Sequence, residues 1–152
     1  MKKFLGIFIG LMMVILVSGC SSEKTMTCTK ETVDGENYKT VDTFEITYNS
    51  KKVLKVKNTI VTDSGVEYAD FSLGVMMLFK SAFDGVDGVT INVEKVGEDK
   101  IKTETEILYD QINIDNMKSQ LGELIDEDSY YTSSNVTIKE FKEAHLEGYT
   151  CK

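Results

Sequence analysis

The chain has 152 residues, of which 41% are apolar, and a formal net charge of −8. This length and apolar content are enough for one folded domain with a hydrophobic core. The acidic balance argues against a nucleic-acid partner, because binding to phosphates needs a basic face.

The first 19 residues have the pattern of a secretory signal peptide. Met1-Lys2-Lys3 is a basic start, Phe4 to Val17 is an apolar run, and Ser18-Gly19 places small residues at its end. The apolar run is short, since a transmembrane helix needs roughly 20 residues. An uncleaved N-terminal anchor helix is the alternative interpretation.

Val17-Ser18-Gly19-Cys20 resembles the lipobox of bacterial lipoproteins. The resemblance implies cleavage before Cys20, lipidation of its sulfur and a short tether over residues 20–26. Two acyl chains on one residue hold a protein on a membrane stably, whereas one does so only marginally. We therefore expect a lipid anchor as the contact with the membrane, on the outer face of a bacterial cell membrane.

Loss of Lys2 and Lys3 leaves 15 lysines against 25 acidic residues, a net charge of −10. Such a domain is not attracted to anionic lipid, so the acyl chains must provide the attachment. All the basic residues are lysines. That usage suggests a low-GC bacterium, of the Gram-positive kind.

The mature chain begins with three predicted strands. Thr27 to Glu31 is a short β-prone run, and Tyr38 to Tyr48 ends in alternating apolar and polar residues. Val53 to Val61 alternates again, with Lys55 and Lys57 on its solvated side. These runs predict an antiparallel meander with one face exposed to water.

The apolar spacing changes to a helical period between Tyr68 and Phe83. We predict a helix that covers the sheet, with Phe71, Val75 and Phe79 buried, because a lone sheet needs a cover. Gly74 in its middle costs about 1 kcal/mol relative to Ala, which suggests a close contact with the sheet. Two adjacent methionines widen the apolar face, and an adaptable binding surface is the alternative to core packing.

The next part of the chain predicts a hairpin and a short helix. Val89 to Val93 alternates with polar residues, Gly97-Glu98-Asp99 is a three-residue loop, and Ile101 to Ile112 returns. Asp115 is the candidate N-cap of a helix that is followed by a polar loop, Asp126 to Asn135.

The last helix has the clearest signals. Thr137 and Glu140 form a capping box, and Gly148 is a stop signal. The order of elements is then β-β-β-α-β-β-α-α. We interpret residues 27–152 as a single α+β extracytoplasmic domain, an antiparallel β-sheet meander covered by two or three helices.

Lipidation would consume Cys20 and leave Cys28 and Cys151. An even pair in an exported domain predicts a disulfide, and two reduced thiols are the alternative. The bond would join the first strand to the last few residues. A redox role is not expected, because no Cys-x-x-Cys spacing occurs.

The sequence offers little for catalysis or for a cofactor. His145 is the single histidine, and no motif of a nucleophile, phosphate loop or metal site occurs. The acidic residues at one helix–loop junction could hold calcium, but their spacing does not match a calcium loop and favours a solvated face. These residues are Glu123, Asp126, Glu127 and Asp128. We expect no catalytic residue, no metal site and no cofactor.

Taken together, the chain is similar to the YehR-like family of small bacterial lipoproteins, whose function is uncharacterised. The stretches that carry the resemblance are Val17-Ser18-Gly19-Cys20, Ile46-Thr47-Tyr48 to Lys52-Val53-Leu54-Lys55, Val89-Thr90-Ile91, and Val136-Thr137-Ile138 through Phe141 to Gly148-Tyr149. The resemblance implies an α+β extracytoplasmic domain with no known catalytic residue.

The expected function is that of a lipid-anchored, non-enzymatic binding or scaffolding module with an envelope protein as partner. One alternative is an accessory protein that binds a solute or a cation. Another is a hydrolase of envelope polymers. A cavity with apolar walls and a few convergent polar groups would favour the solute, and a large exposed apolar patch would favour a protein partner.

Overall fold

A computed structural model describes residues 22–34, 38–122 and 129–152. Within these ranges six strands form an antiparallel sheet: β1 (Lys24–Asp34), β2 (Tyr38–Tyr48), β3 (Val53–Asp63), β4 (Val89–Val96), β5 (Lys100–Leu108) and β6 (Thr150–Cys151). The helices are α1 (Val66–Ala82), α2 (Ile114–Leu121) and α3 (Ile138–His145), with a 3-10 turn at Tyr130–Thr132. This architecture confirms the predicted α+β class.

The strand order across the sheet is β4-β5-β3-β2-β1-β6. β1, β2 and β3 form the predicted meander, and the whole of β5 pairs with Lys55 to Asp63 of β3. The predicted loop at Gly97-Glu98-Asp99 connects β4 to β5. β6 is a two-residue addition that pairs with Cys28 and Thr29 of β1.

One face of the sheet is covered, and its character changes along the strands. Near the Lys24 end of β1, the row Ile46, Val56 and Ile107 is apolar and fully buried. The next row toward Asp34 pairs Phe44 with a buried asparagine and a buried threonine. The core therefore lies over the Lys24 half of the sheet, where α2 and α3 supply Met117, Leu121 and Phe141.

Several boundaries differ from the prediction. β1 begins at Lys24, three residues before the expected Thr27, so it takes in part of the predicted tether. The N-cap of α2 is Asn113, because its side chain accepts the Asn116 amide at 2.9 Å. Asp115 instead lies in the first turn. The predicted capping box at the start of α3 is confirmed.

The stretch predicted as a polar loop contains part of the core. Its residues 126–128 lie outside the described ranges, but the 3-10 turn that follows buries Tyr131. The Ser129 hydroxyl caps this turn by accepting the Tyr131 amide at 3.3 Å. The sequence did not indicate that Tyr130 and Tyr131 pack against the sheet, because the residues around them are polar.

The predicted burial of α1 is wrong for Phe71 and Val75, whereas Phe79 is half-buried and packs against the core. Phe71 is 75% exposed and Val75 is 43% exposed, and Ala69 is the buried residue of the helix. No atom of another element lies within 4 Å of a Cβ built on Gly74, so the expected close contact there is also absent. The sheet under α1 carries Thr62, Thr103 and Thr105 beside two isoleucines, Ile60 and Ile101, so part of the surface that faces the helix is polar.

Candidate ligand cavity between α1 and the sheet

The space between α1 and the sheet is a cavity with a volume of about 480 Å³. Its floor is the covered face of β3 and β5, its roof is α1, and the 3-10 turn closes one end. Its lining residues are Tyr38, Asn58, Ile60, Thr62, Phe71, Ser72, Val75, Met76, Phe79, Ile101, Thr103, Thr105, Tyr130 and Tyr131. The volume lies within the range of small-molecule sites.

The roof is apolar and partly exposed. Phe71 and Val75 stand at the mouth of the cavity, where both are exposed. Phe79 lies further in, and its ring is 4.9 Å from that of the buried Phe83. Phe83 in turn packs against Tyr131 at 5.0 Å. The C-terminal end of α1 is therefore attached to the core, while its N-terminal half spans the cavity.

One ion pair ties the outer half of α1 to the sheet. The Lys95 ammonium of β4 lies 2.6 Å from the Asp70 carboxylate, which is itself largely exposed. An exposed pair of this kind contributes little to stability. Gly65 at the N-terminus of α1 has a φ of 74° and provides no side-chain cap.

Asn58 marks the inner end of the floor. Its Nδ2 group donates to Asp42 Oδ1 at 2.5 Å and to the Thr43 carbonyl at 3.4 Å. The other Asp42 oxygen accepts the Tyr149 hydroxyl at 2.6 Å. Burial and this hydrogen bond raise the pKa of Tyr149, so the phenol remains a donor at neutral pH. The Asn58 amide oxygen is left as an acceptor beside the cavity.

The two tyrosines of the 3-10 turn complete the inner end. Their rings stack at 4.4 Å, and the Tyr130 hydroxyl donates to the Tyr131 hydroxyl at 3.2 Å. Burial raises the pKa of both phenols, and a hydrogen bond with Thr105 opposes the shift in each case. The Tyr109 hydroxyl fixes the turn by donating to the Tyr130 carbonyl. Neutral hydroxyl groups therefore converge at this end.

The predicted cysteine pair lies elsewhere, at the β1–β6 edge. Cys28 and Cys151 form a disulfide whose sulfurs are 2.08 Å apart and whose Cα atoms are 4.0 Å apart. Thr27 and Lys152 exchange both backbone hydrogen bonds, so the cysteines occupy the adjacent non-hydrogen-bonded pair. Cα atoms approach most closely at such pairs. Cys20 and the acidic residues of 123–128 lie outside the described residues.

His145 pairs with Ser133, and not with the cavity. Ser133 Oγ lies 2.7 Å from His145 Nε2 and donates to the Ser129 carbonyl at 3.4 Å. Ser133 is buried, and the His145 ring packs on Phe141 at 4.8 Å. A nucleophile must reach its substrate, and this hydroxyl is occupied inside the fold.

The described ranges offer neither a metal-binding cluster nor a membrane-spanning helix. They contain no cluster of three or more His, Cys, Asp or Glu side chains arranged to hold a metal ion. None of the helices in these ranges has the length and hydropathy needed to span a membrane.

Sequence reasoning missed the residues at the inner end of the cavity. One signal was available for Asn58, because it falls on the same face of β3 as Val56 and Ile60. A polar residue at a predicted core position is a departure that marks a possible site. Tyr130 and Tyr131 gave no such signal, because their neighbours are polar.

The fold and the cavity define a small α+β domain with an open sheet, in which the cavity separates part of α1 from the sheet. The solution NMR structure of Escherichia coli YehR has this fold, with a TM-score of 0.64 at 12% identity over 88% of this chain and 93% of that one. This confirms the predicted YehR-like fold. An NMR structure of a protein from Streptococcus pneumoniae TIGR4 is also similar, with a TM-score of 0.57 at 15% identity over 100% and 98% of the two chains.

Comparison at the level of sequence adds nothing further. No protein-family model matches the chain, and no curated protein matches it. The similarity therefore concerns the fold.

Proposed function

We propose that the protein is a lipid-anchored, non-enzymatic binding module of the bacterial envelope, and that its ligand site is the cavity under α1. The observation that carries this proposal is the cavity itself. It joins apolar walls at Phe71, Val75 and Ile101 to neutral polar groups at its inner end. Few polar groups at fixed positions in an apolar cavity are typical of small-molecule sites.

The proposed anchor rests on the sequence around Cys20. The fold supports a compatible arrangement, because β1 starts at Lys24, only four residues further on. A strand rises about 3.3 Å per residue. The cavity floor lies beside the part of β1 that runs from Cys28 to Asp34. These two residues are about 13 Å and about 33 Å along the strand from Lys24, the end of β1 next to the proposed anchor.

Photolabelling of the full chain in lipid nanodiscs tests the proposal. The probe is decanol that carries a diazirine, and the readout is label on tryptic peptides from α1 and β5. Ser72→Phe fills the cavity from the roof, because Ser72 is half-buried and lines it. We expect at least a fivefold loss of label from these peptides.

Ser81→Phe is the matched control. Ser81 is exposed on the same helix and lies outside the cavity lining, so the same substitution there should leave labelling unchanged. Ser72→Leu, a smaller filling, should give an intermediate loss and guards against misfolding of the Phe variant. Equal labelling of the wild type and both Ser72 variants would refute a ligand site in this cavity.

An envelope protein partner is the second candidate function, and the outer face of α1 favours it. Tyr68, Phe71 and Leu78 are 60%, 75% and 74% exposed and lie at helical spacing on one side. Exposed apolar patches of this kind mark interaction surfaces. Leu78 does not line the cavity, so Leu78→Asp separates the two functions. A partner crosslinked to the wild type in intact cells but not to Leu78→Asp would support the scaffolding role.

A further inference from the structure

We infer that the cavity ligand is an uncharged amphiphile, with a hydrogen-bonding head at the inner end and an apolar body toward the mouth. The inference rests on the proposed function, because it names the ligand class of that same site. It follows from the chemical nature of the side chains that line the cavity, among the described residues, and from their positions along it.

The lining contains no charged side chain among the described residues. A charged ligand would lose hydration on entry and meet no counter-ion there. Transfer of an unpaired ion into an apolar site is far more costly than transfer of a neutral polar group. The walls therefore discriminate against carboxylates and ammonium groups.

The carboxylate beside the inner end does not change this conclusion. Asp42 lies behind Asn58, and both of its oxygens accept hydrogen bonds, from Asn58 and from Tyr149. Its charge is compensated by these donors. It would repel an anionic head, and each of its oxygens already accepts one hydrogen bond from the protein.

The inner end holds a cluster of polar groups, while the hydroxyl groups of Tyr38, Thr62 and Ser72 lie elsewhere along the lining. The Asn58 amide oxygen, the Thr105 hydroxyl and the two phenols lie at the inner end, where both donors and acceptors are present. Phe71 and Val75 lie at the exposed mouth. A head such as an amide, alcohol or ester fits the inner end, because it can both donate and accept or accept alone. The chain then runs out beneath α1.

A matched series of probes tests the charge rule on the full chain in nanodiscs. Decanamide, decanoate and decylammonium, each with the same diazirine in the tail, differ only in the head. At neutral pH we expect decanamide to label the cavity peptides at least tenfold more than either charged analogue. The Ser72→Phe background measures the labelling that does not come from the cavity.

A gain of charge gives an independent test. Thr62 lines the outer part of the cavity floor, and Thr62→Lys would supply an ammonium group there. We expect this variant to shift the preference toward decanoate. Thr59→Lys places the same group on the opposite face of β3 and should keep the wild-type preference.

The outcomes separate the inference from the proposed function. Strong labelling by decanol, with decanoate or decylammonium equal to decanamide, would overturn the inference and leave the binding function intact. Loss of all labelling that depends on Ser72 would overturn both. A photoreactive monoacylglycerol held in the bilayer tests whether the ligand comes from the membrane or from solution. Cavity labelling by that lipid, or by soluble decanamide alone, supports an uncharged amphiphile drawn from the membrane or from solution, respectively.

Discussion

At the residue scale, the N-terminus of α3 depends on one reciprocal pair. The Thr137 amide and hydroxyl donate to Glu140 Oε2 at 2.7 and 2.8 Å, and the Glu140 amide donates to Thr137 Oγ1 at 3.3 Å. The hydrogen bond from the Thr137 amide lowers the pKa of the Glu140 carboxyl below its usual 4.5. The ionised form therefore stabilises the folded state.

The lowered pKa determines the direction in which the stability of the fold changes with pH. The stabilisation is present above about pH 4.5 and is lost as the pH falls through the folded-state pKa of Glu140. Glu140→Gln should lose less stability than the wild type between neutral pH and about pH 3. Urea unfolding at both pH values measures the difference. An equal loss in both proteins would show that the capping carboxylate does not contribute.

The disulfide is the second feature at this scale, and its oxidation in the exported protein stays a prediction. The two cysteines are separated by 123 residues. A loop of that length predicts that Cys28→Ala with Cys151→Ala lowers the free energy of unfolding by about 2–5 kcal/mol. Denaturant unfolding checks the loss, with reductant expected to affect the wild type alone. Two free thiols in non-reduced peptides from the envelope would contradict the bond.

At the element scale, the C-terminal end of α1 packs into the core, whereas its outward face is exposed. Phe83, just past its C-terminus, is buried in the core, whereas Leu78 is 74% exposed. Phe83→Ala should destabilise the fold by about 3–5 kcal/mol, because it opens a cavity in packed surroundings. Leu78→Ala and Val75→Asp should each change the melting temperature little, since exposed positions contribute little.

Thermal unfolding of the three variants measures this contrast. A large loss for Val75→Asp would mean that the N-terminal half of α1 closes onto the sheet in solution. The cavity would then be smaller than 480 Å³, and the Ser72 variants would be expected to label alike.

At the scale of the whole molecule, attachment and fold are separate properties. Cys20→Ala should abolish incorporation of labelled palmitate and release the protein from the membrane, because the resemblance to a lipobox assigns the acyl chains to that sulfur. The melting temperature of the domain should not change. Equal incorporation of palmitate into the variant would refute the assignment.

The strands and the capping box were predictable, because both are local patterns. Alternation located β2, and the spacing of Thr137 and Glu140 located the start of α3. Pairing of β3 with β5 was not predictable, because it joins residues across the whole of α1. The helical spacing of the apolar residues predicted where α1 lies in the sequence but not how deeply the helix is buried. That depth depends on the facing threonines and on how closely the helix approaches them.

The cavity could not be predicted for the same reason. It exists because an apolar helix lies over a part of the sheet whose covered face carries Asn58, Thr103 and Thr105. The two threonines are ordinary strand residues, and Asn58 alone departs from the apolar pattern of its face. Only the register of β3 and β5 places Asn58 beside Thr105 and Ile60 beside Thr103.

The bond between Cys28 and Cys151 has a consequence for proteolysis of a chain anchored through Cys20, as proposed above. Residues 29–150 form a closed covalent loop when this bond is oxidised. A single cut by a protease anywhere in that loop produces two fragments that both remain joined through Cys28. With Cys20 as the anchor, the nicked domain stays on the membrane. Shedding then requires reduction of the bond or a cut in the few residues between Cys20 and Cys28.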